Sequence, residues 1–169
     1  MTGNTHTNTT RRNKFIIWAS VFLFATAAFS SCTEIEVFEK NTVIPNMQWQ
    51  NNFSAKGTVK ISDTASSYNI YIIIRHNDAY AYNNIWLNVG LQPPGDSMQY
   101  QKINLTLGND AGGWEGSGMN DIWEVRKLIS GLPKRFIKKG EYNFSVQQIM
   151  RDDPLKGIMN AGIRLQKAG

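Results

Sequence analysis

The sequence predicts an all-β fold, an antiparallel β-sandwich of jelly-roll-like architecture, from three observations. Apolar and polar residues alternate in several stretches of eight to ten residues, the period of a strand with one buried face. Gly, Pro, Asn and Asp separate these stretches at regular spacing, as in two packed antiparallel sheets. One stretch alone, late in the chain, spaces its apolar residues as a helix would.

The elements begin only after a targeting segment. Arg11, Arg12 and Lys14 form a positive cluster, and Phe15 to Phe29 follow as 15 uncharged, mostly apolar residues. This is the n-region and h-region of an export signal. As a helix the run would rise about 22 Å, short of the ~30 Å a permanent span must cross. Ser30 and Ser31 then precede Cys32, the one cysteine of the chain, and together they resemble a lipobox, with Phe29 where such a site usually has Leu. The expectation is a lipoprotein signal over residues 1–31, removed before Cys32, whose thiol takes a diacylglyceryl group and whose freed amine is acylated. At ~0.8 kcal/mol per buried methylene, two or three acyl chains make a permanent anchor.

Removing the signal lowers Lys+Arg from 18 to 15 against 13 acidic residues, and the net charge from +5 to +2. The high pI therefore belongs mostly to the signal, and a nucleic-acid partner is not expected. Residues 32–169 make one ordinary domain. With Cys32 consumed, no disulfide or cysteine metal ligand remains.

Residues 32–46 read as a tether carrying Glu34, Glu36, Glu39 and Lys40, and residues 47–169 as the sandwich. In FSAKGTVKIS, Phe53, Ala55, Gly57, Val59 and Ile61 share one face of a strand. YNIYIIIR, Tyr68 to Arg75, is β-branched and aromatic and suits a central strand. Asn84 to Leu91 puts Ile85, Leu87, Val89 and Leu91 on one face, and Pro93-Pro94-Gly95-Asp96 breaks it. Met98 to Leu107 alternates more weakly through Ile103, Leu105 and Leu107. Asp121 to Ser130 predicts a helix, with Ile122, Val125, Leu128 and Ile129 near a 3.6 period and Asp121 as cap. Tyr142, Phe144 and Val146 mark another strand, and Ile163 with Leu165 a last one.

These residues bring a resemblance into view. Arg75 to Leu87 (RHNDAYAYNNIWL) resembles the most specific segment of the gliding motility lipoprotein GldH family of the Bacteroidetes, with Ala81 where Pro and Ile85 where Leu are usual. Gly113-Trp114-Glu115-Gly116-x-Gly118, Asp121-Ile122, Gly140-x-Tyr142-x-Phe144, Gln148-x-Met150-Arg151-x-x-Pro154-Leu155-x-Gly157-Ile158 and Gly162-Ile163-Arg164 agree in order and spacing. The resemblance runs from Cys32 to about Lys167. It implies a cell-envelope lipoprotein, periplasmic or on the outer-membrane face, linked to gliding motility and the secretion system coupled to it. Its implied partners are the membrane, through the lipid, and other envelope proteins of that machinery. It brings no catalytic residues and no cofactor.

Candidate chemistry is sparse. Tyr80, Tyr82, Trp86, Trp114 and Trp123 are read first as core or partner interface. The alternative is a glycan-binding module in which Trp114 and one of Tyr80, Tyr82 or Trp123 stack on sugar rings. Glu115, Asp121 and Glu124 would be the carboxylates of a hydrolase, but their spacing selects nothing and capping or solvation is preferred. His76 is the one histidine outside the signal, too few for a histidine metal site, so no metal is expected and no small-molecule substrate. Arg75 with Asp78, and Arg151 with Asp152 and Asp153, are read first as local ion pairs, with partner binding as the alternative. Lys134, Arg135, Lys138 and Lys139 form a basic cluster read first as a solvated face, with lipid headgroups or an acidic partner as the alternative. Asp63-Thr64-Ala65 and Asp96-Ser97-Met98 match a three-residue O-glycosylation pattern of exported Bacteroidetes proteins, with Thr64 and Ser97 as acceptors in exposed turns.

Overall fold

The computed structural model describes residues 37–109, 111 and 113–168. The signal segment and Cys32 lie outside them. The strands in chain order are β1 (Val37–Val43), β2 (Gln48–Trp49), β3 (Ser54–Ile61), β4 (Ser67–Asn77), β5 (Asn84–Gln92) and β6 (Gln99–Thr106), then β7 (Ser117–Met119), β8 (Ile122–Leu128), β9 (Lys134–Arg135), β10 (Gly140–Gln148), β11 (Leu155–Lys156) and β12 (Ile158–Lys167).

One sheet runs β1-β12-β4-β8-β7, with β9 pairing the first residues of β4, and the other runs β3-β10-β5-β6. A short ribbon joins β2 and β11. All pairings are antiparallel. Ile70, Ile72 and Ile74 of the first sheet share one core with Val59, Ile85, Leu87, Leu105, Tyr142, Phe144 and Val146 of the second. The alternation that predicts a β-sandwich is therefore the alternation that builds it.

The central strand β4 is longer than its apolar run. Its inward face is Tyr68, Ile70, Ile72, Ile74 and then His76, all buried. Strands β3, β5, β6, β10 and β12 occupy the stretches that the alternation marks.

Two expectations are corrected. Asp121 to Ser130 is not a helix: Ile122–Leu128 is strand β8, paired with β4 from Asn77↔Ile122 to Tyr71↔Leu128. Four apolar residues fit a helical stripe, but β4 offers a full edge of backbone donors and acceptors. Val125 is buried in the core opposite Ile74, and tertiary pairing overrides a local pattern this short. Residues 37–43, assigned by the sequence to the tether 32–46, form the edge strand β1, whose register with β12 runs from Val37↔Gln166 to Val43↔Asn160. Phe38 packs against the core, while Glu39, Lys40 and Asn41 are exposed. A polar edge strand held by backbone bonds leaves little hydrophobic pattern to read.

The register gives the sandwich two distinct ends. Val37, Lys167, Ser67, Leu128, Ile61 and Gly140 lie at the end where β1 begins. Asn77, Ile122, Ile158, Asn84 and Gln148 lie at the other, where β4 terminates. The 11 residues of β4 separate these ends by about 35 Å.

Candidate functional site

The end where β4 terminates holds four of the five aromatics that the sequence singles out, and Trp86 leaves it on β5. After His76 the chain turns sharply: Asn77 Oδ1 accepts from Ala79 N–H at 3.2 Å, and its carbonyl accepts from Tyr80 N–H at 3.1 Å, an Asx-type turn. Asp78 N–H donates to the Asp121 carbonyl at 3.1 Å, tying this turn to the one before β8.

The turn drives Tyr80 into the core, where its hydroxyl donates to the Asn84 carbonyl at 2.7 Å. Tyr82 is half-buried and donates its hydroxyl to Asp152 Oδ2 at 2.8 Å. Burial pushes the Tyr80 hydroxyl pKa well up, and the bond to Asp152 raises that of Tyr82.

Trp114 arrives from a small loop in which Asn109 N–H donates to the Gly113 carbonyl at 2.9 Å and Gly113 N–H to Asn109 Oδ1 at 3.0 Å. Its ring meets His76 edge-on, centroids 4.4 Å apart. Asp78 Oδ1 accepts the indole N–H groups of both Trp114 and Trp123. His76 is fully buried; its Nδ1–H faces the Asn77 carbonyl at 3.2 Å, and its Nε2 has no hydrogen-bond partner among the described residues. Desolvation holds its pKa below the ordinary value.

The five aromatics thus divide. Tyr80 is core; Tyr82, Trp114 and Trp123 are half-buried with their polar tips engaged; Trp86, on the outer face of β5, is 44% exposed. The rings of Tyr80, Tyr82 and Trp114 meet at 43° to 67°, so they do not form a flat platform. Tyr82 is a wall of two hollows. One, of about 490 Å³, is lined by Ala81, Arg151, Asp152, Pro154 and Lys156; the other, of about 220 Å³, by Tyr80, Asn83, Asn109 and Trp114.

The remaining candidates fall elsewhere. Glu115 pairs with Lys127, and Glu124 with Arg126 at 2.8 Å; Asp121 is exposed in the turn before β8. The expected pairs of Arg75 with Asp78 and of Arg151 with its neighbouring acids do not form: among the described residues neither arginine is in an ion pair, because Asp78 serves two indoles and Asp152 serves Tyr82. Thr64 and Ser97 lie at the opposite end, Thr64 half-buried and Ser97 exposed. Asp63 beside Thr64 accepts from Ala65, Ser66 and Lys167, the last at 2.7 Å, which holds its carboxyl far below the ordinary range. Among the described residues no acidic, histidine or cysteine cluster suits a metal, and no helix is long and apolar enough to cross a membrane.

Sequence reasoning missed the roles of Asp78, Asp152 and His76, and the buried Gln148, whose side chain bonds Met150 N–H and the carbonyls of Trp49 and Asp152. His76 continues the even-numbered inward face of β4, a signal that was present; the others bond to residues remote in sequence.

The gliding motility lipoprotein GldH homolog of Christiangramia forsetii is 27% identical over 155 residues, covering 88% of this chain and 94% of its own. The gliding motility lipoprotein GldH of Flavobacterium johnsoniae is 24% identical over 156 residues, 88% of this chain and 96% of its own. Among solved structures, the infectious bursal disease virus VP2 subviral particle aligns with 80% of this chain and 33% of its own at TM-score 0.35 and 10% identity. The model of the GldH lipoprotein family matches residues 36–165, a span from the edge strand β1 almost to the end of β12, and the chain belongs to that family.

Proposed function

We propose that this protein is anchored in the cell envelope by lipid on Cys32 and serves as an accessory or assembly component of the gliding machinery and its associated secretion system. It acts through protein contacts made by the end of the sandwich that bears Trp86, Tyr82 and Arg151. The observation that carries this reading is the exposure of Trp86 on a regular strand whose neighbour, past Gln148, leads to Ile149 and to Arg151, an exposed arginine in no ion pair among the described residues.

Ile149 N–H donates to the Trp86 carbonyl at 3.0 Å, so two exposed apolar residues, Trp86 at 44% and Ile149 at 36%, stand on adjoining strand ends. Arg151, two residues on, is exposed and lines the larger hollow. An arginine at a hollow and an exposed tryptophan on the adjoining strand are residue types enriched in protein-binding hot spots. The glycan-binding alternative is less well supported, because the rings at the hollows are tilted and their N–H and O–H groups are already bonded within the protein.

The test is a crosslinking pulldown from native envelope with wild type, Cys32→Ala, and the pair Trp86→Ala and Arg151→Ala. Gliding or secretion subunits captured by the wild type and lost in the variants support this reading. Equal capture by all forms, or capture of glycan, removes it.

A further inference from the structure

The opposite end of the sandwich carries a second unassigned surface, the segment 128–139 between β8 and β10. Leu132 is 79% exposed and Ile137 is 84% exposed, and Leu128 adds a third aliphatic at 47%. Lys134, Arg135, Lys138 and Lys139 are interleaved with them, all exposed. Aliphatics and cations together on one exposed segment are the composition of an element that lies at a membrane interface.

This segment is not a loose loop. Lys134 and Arg135 pair as β9 with Tyr68 and Ser67. Phe136 between the two aliphatics is fully buried, its ring 5.5 Å from that of Tyr68 and 4.8 Å from that of Tyr142. The buried Phe136 fixes the backbone and leaves Leu132 and Ile137 on either side of it at the surface.

Of the four cations only Lys138 is paired with an acid among the described residues. Asp63 pairs with Lys167, Asp96 with Lys138 and Glu39 with Arg164, and Glu141 stands opposite Lys60 in the sheet register. Lys134 and Lys139 are in no ion pair among the described residues, and Arg135 reaches only the Thr64 carbonyl, at 3.4 Å.

The direction of the chain names the occupant. Val37 lies opposite Gln166, Gln166 opposite Asn69, and the neighbouring Tyr68 opposite Lys134. Three strand spacings therefore separate Val37 from β9, about 15 Å. Cys32 precedes Val37 by five residues, which reach at most about 17 Å. A lipid borne on Cys32 would therefore be tethered within that reach of Val37, the end of the sandwich that carries the cationic-aliphatic segment.

From this juxtaposition we propose that residues 128–139 are a membrane-docking element: Leu132 and Ile137 enter the headgroup–acyl boundary of an anionic bilayer, Lys134, Arg135 and Lys139 meet its phosphates, and the Trp86–Arg151 end is held away from the surface. The shared direction rests on lipidation of Cys32; the chemistry of the segment does not. Docking also puts the turns of Thr64 and Ser97 against the bilayer, where a bulky glycan has no room.

The experiment uses the mature lipoprotein in vesicles. Because lipidation consumes the sole cysteine, Leu132→Cys, Ile137→Cys and, at the other end, Met119→Cys each accept one environment-sensitive fluorophore. Vesicles are phosphatidylethanolamine–phosphatidylglycerol or phosphatidylcholine alone, with brominated lipid as quencher. Expected are a blue shift and quenching at 132 and 137 but not at 119, with Lys134→Glu/Lys139→Glu weakening the quenching at least roughly tenfold in the anionic vesicles. Labels at 132 and 137 that stay in water, or that are shielded equally without vesicles by a protein or a second copy, overturn the proposal. Intact mass of the same samples reports the lipid on Cys32 separately, so quenching at 132 and 137 without the lipid mass would retain the docking element and remove the anchor reading.

Discussion

Trp114 and Trp123 donate their indole N–H groups to the same oxygen, Oδ1 of Asp78, each at 3.0 Å. One carboxylate thereby pins the Gly-rich loop before β7 and the first residues of β8 to the turn after β4. Asp78→Ala removes the one acceptor of both bonds and is expected to lower unfolding stability by about 1–3 kcal/mol, whereas Asp78→Asn, whose carbonyl oxygen can stand where Oδ1 stands but without its charge, loses less. Urea unfolding followed by tryptophan fluorescence reads both. A loss within about 0.5 kcal/mol for the alanine variant, the range of ordinary surface substitutions, would show that the shared bond is incidental.

His76 makes stability depend on pH on the acid side of neutrality. Burial lowers its pKa in the folded protein below the ordinary 6.5, so between those two values the unfolded chain binds a proton that the folded chain does not, and stability falls as pH falls through that window. His76→Phe is expected to flatten the slope of the urea midpoint between neutrality and about pH 5. Asp63 acts in a separate window: its carboxyl is held down chiefly by Lys167, so its contribution is present above the ordinary carboxylate range and disappears only in stronger acid. An unchanged slope in the His76 variant would assign the pH dependence to other groups.

The sequence displays β4 almost completely, because Tyr68, Ile70, Ile72 and Ile74 alternate with half-exposed neighbours until the last pair, where Ile73 is buried too. It conceals β8, where Ile122, Val125, Leu128 and Ile129 fit a helical spacing and not a period of two, and β1, whose identity lies in backbone pairing with β12. The aromatics of the site are legible as residue types, but their partners are not. Asp78 meets Trp114 and Trp123 across 36 and 45 residues, and Tyr82 meets Asp152 across 70. Local charge proximity suggested Arg75 and Arg151 for those same acids, and closure of the sheets gave the acids to aromatic donors.

Two glycines in left-handed backbone separate conformational strain from steric exclusion. Gly131 has φ +63° and nothing within 4 Å of an added Cβ; Gly157 has φ +84°, and an added Cβ would stand 2.5 Å from the Tyr80 nitrogen. Gly131→Ala is expected to cost about 1 kcal/mol, the strain alone. Gly157→Ala must also push apart the turn that buries Tyr80, at about 3 kcal/mol or more. Thermal unfolding of the two variants side by side measures the difference, and equal losses would remove the steric account of Gly157.

Gln148 tests whether the proposed contact surface is held in place from within. Its fully buried side chain accepts from Met150 N–H at 2.7 Å and donates to the carbonyls of Trp49 and Asp152, each at 3.2 Å. These bonds fix the chain on both sides of Arg151. Gln148→Leu preserves much of the volume but strands one N–H and two carbonyls, for an expected loss of about 2–4 kcal/mol. Trp86→Ala, at an exposed position, is expected to leave stability within about 0.5 kcal/mol while reducing partner crosslinking. The pair discriminates two roles: Gln148→Leu should lower both crosslinking and the urea midpoint, and Trp86→Ala crosslinking alone. If Trp86→Ala lowers the midpoint as far as Gln148→Leu does, Trp86 is part of the packing and the contact surface must be sought elsewhere.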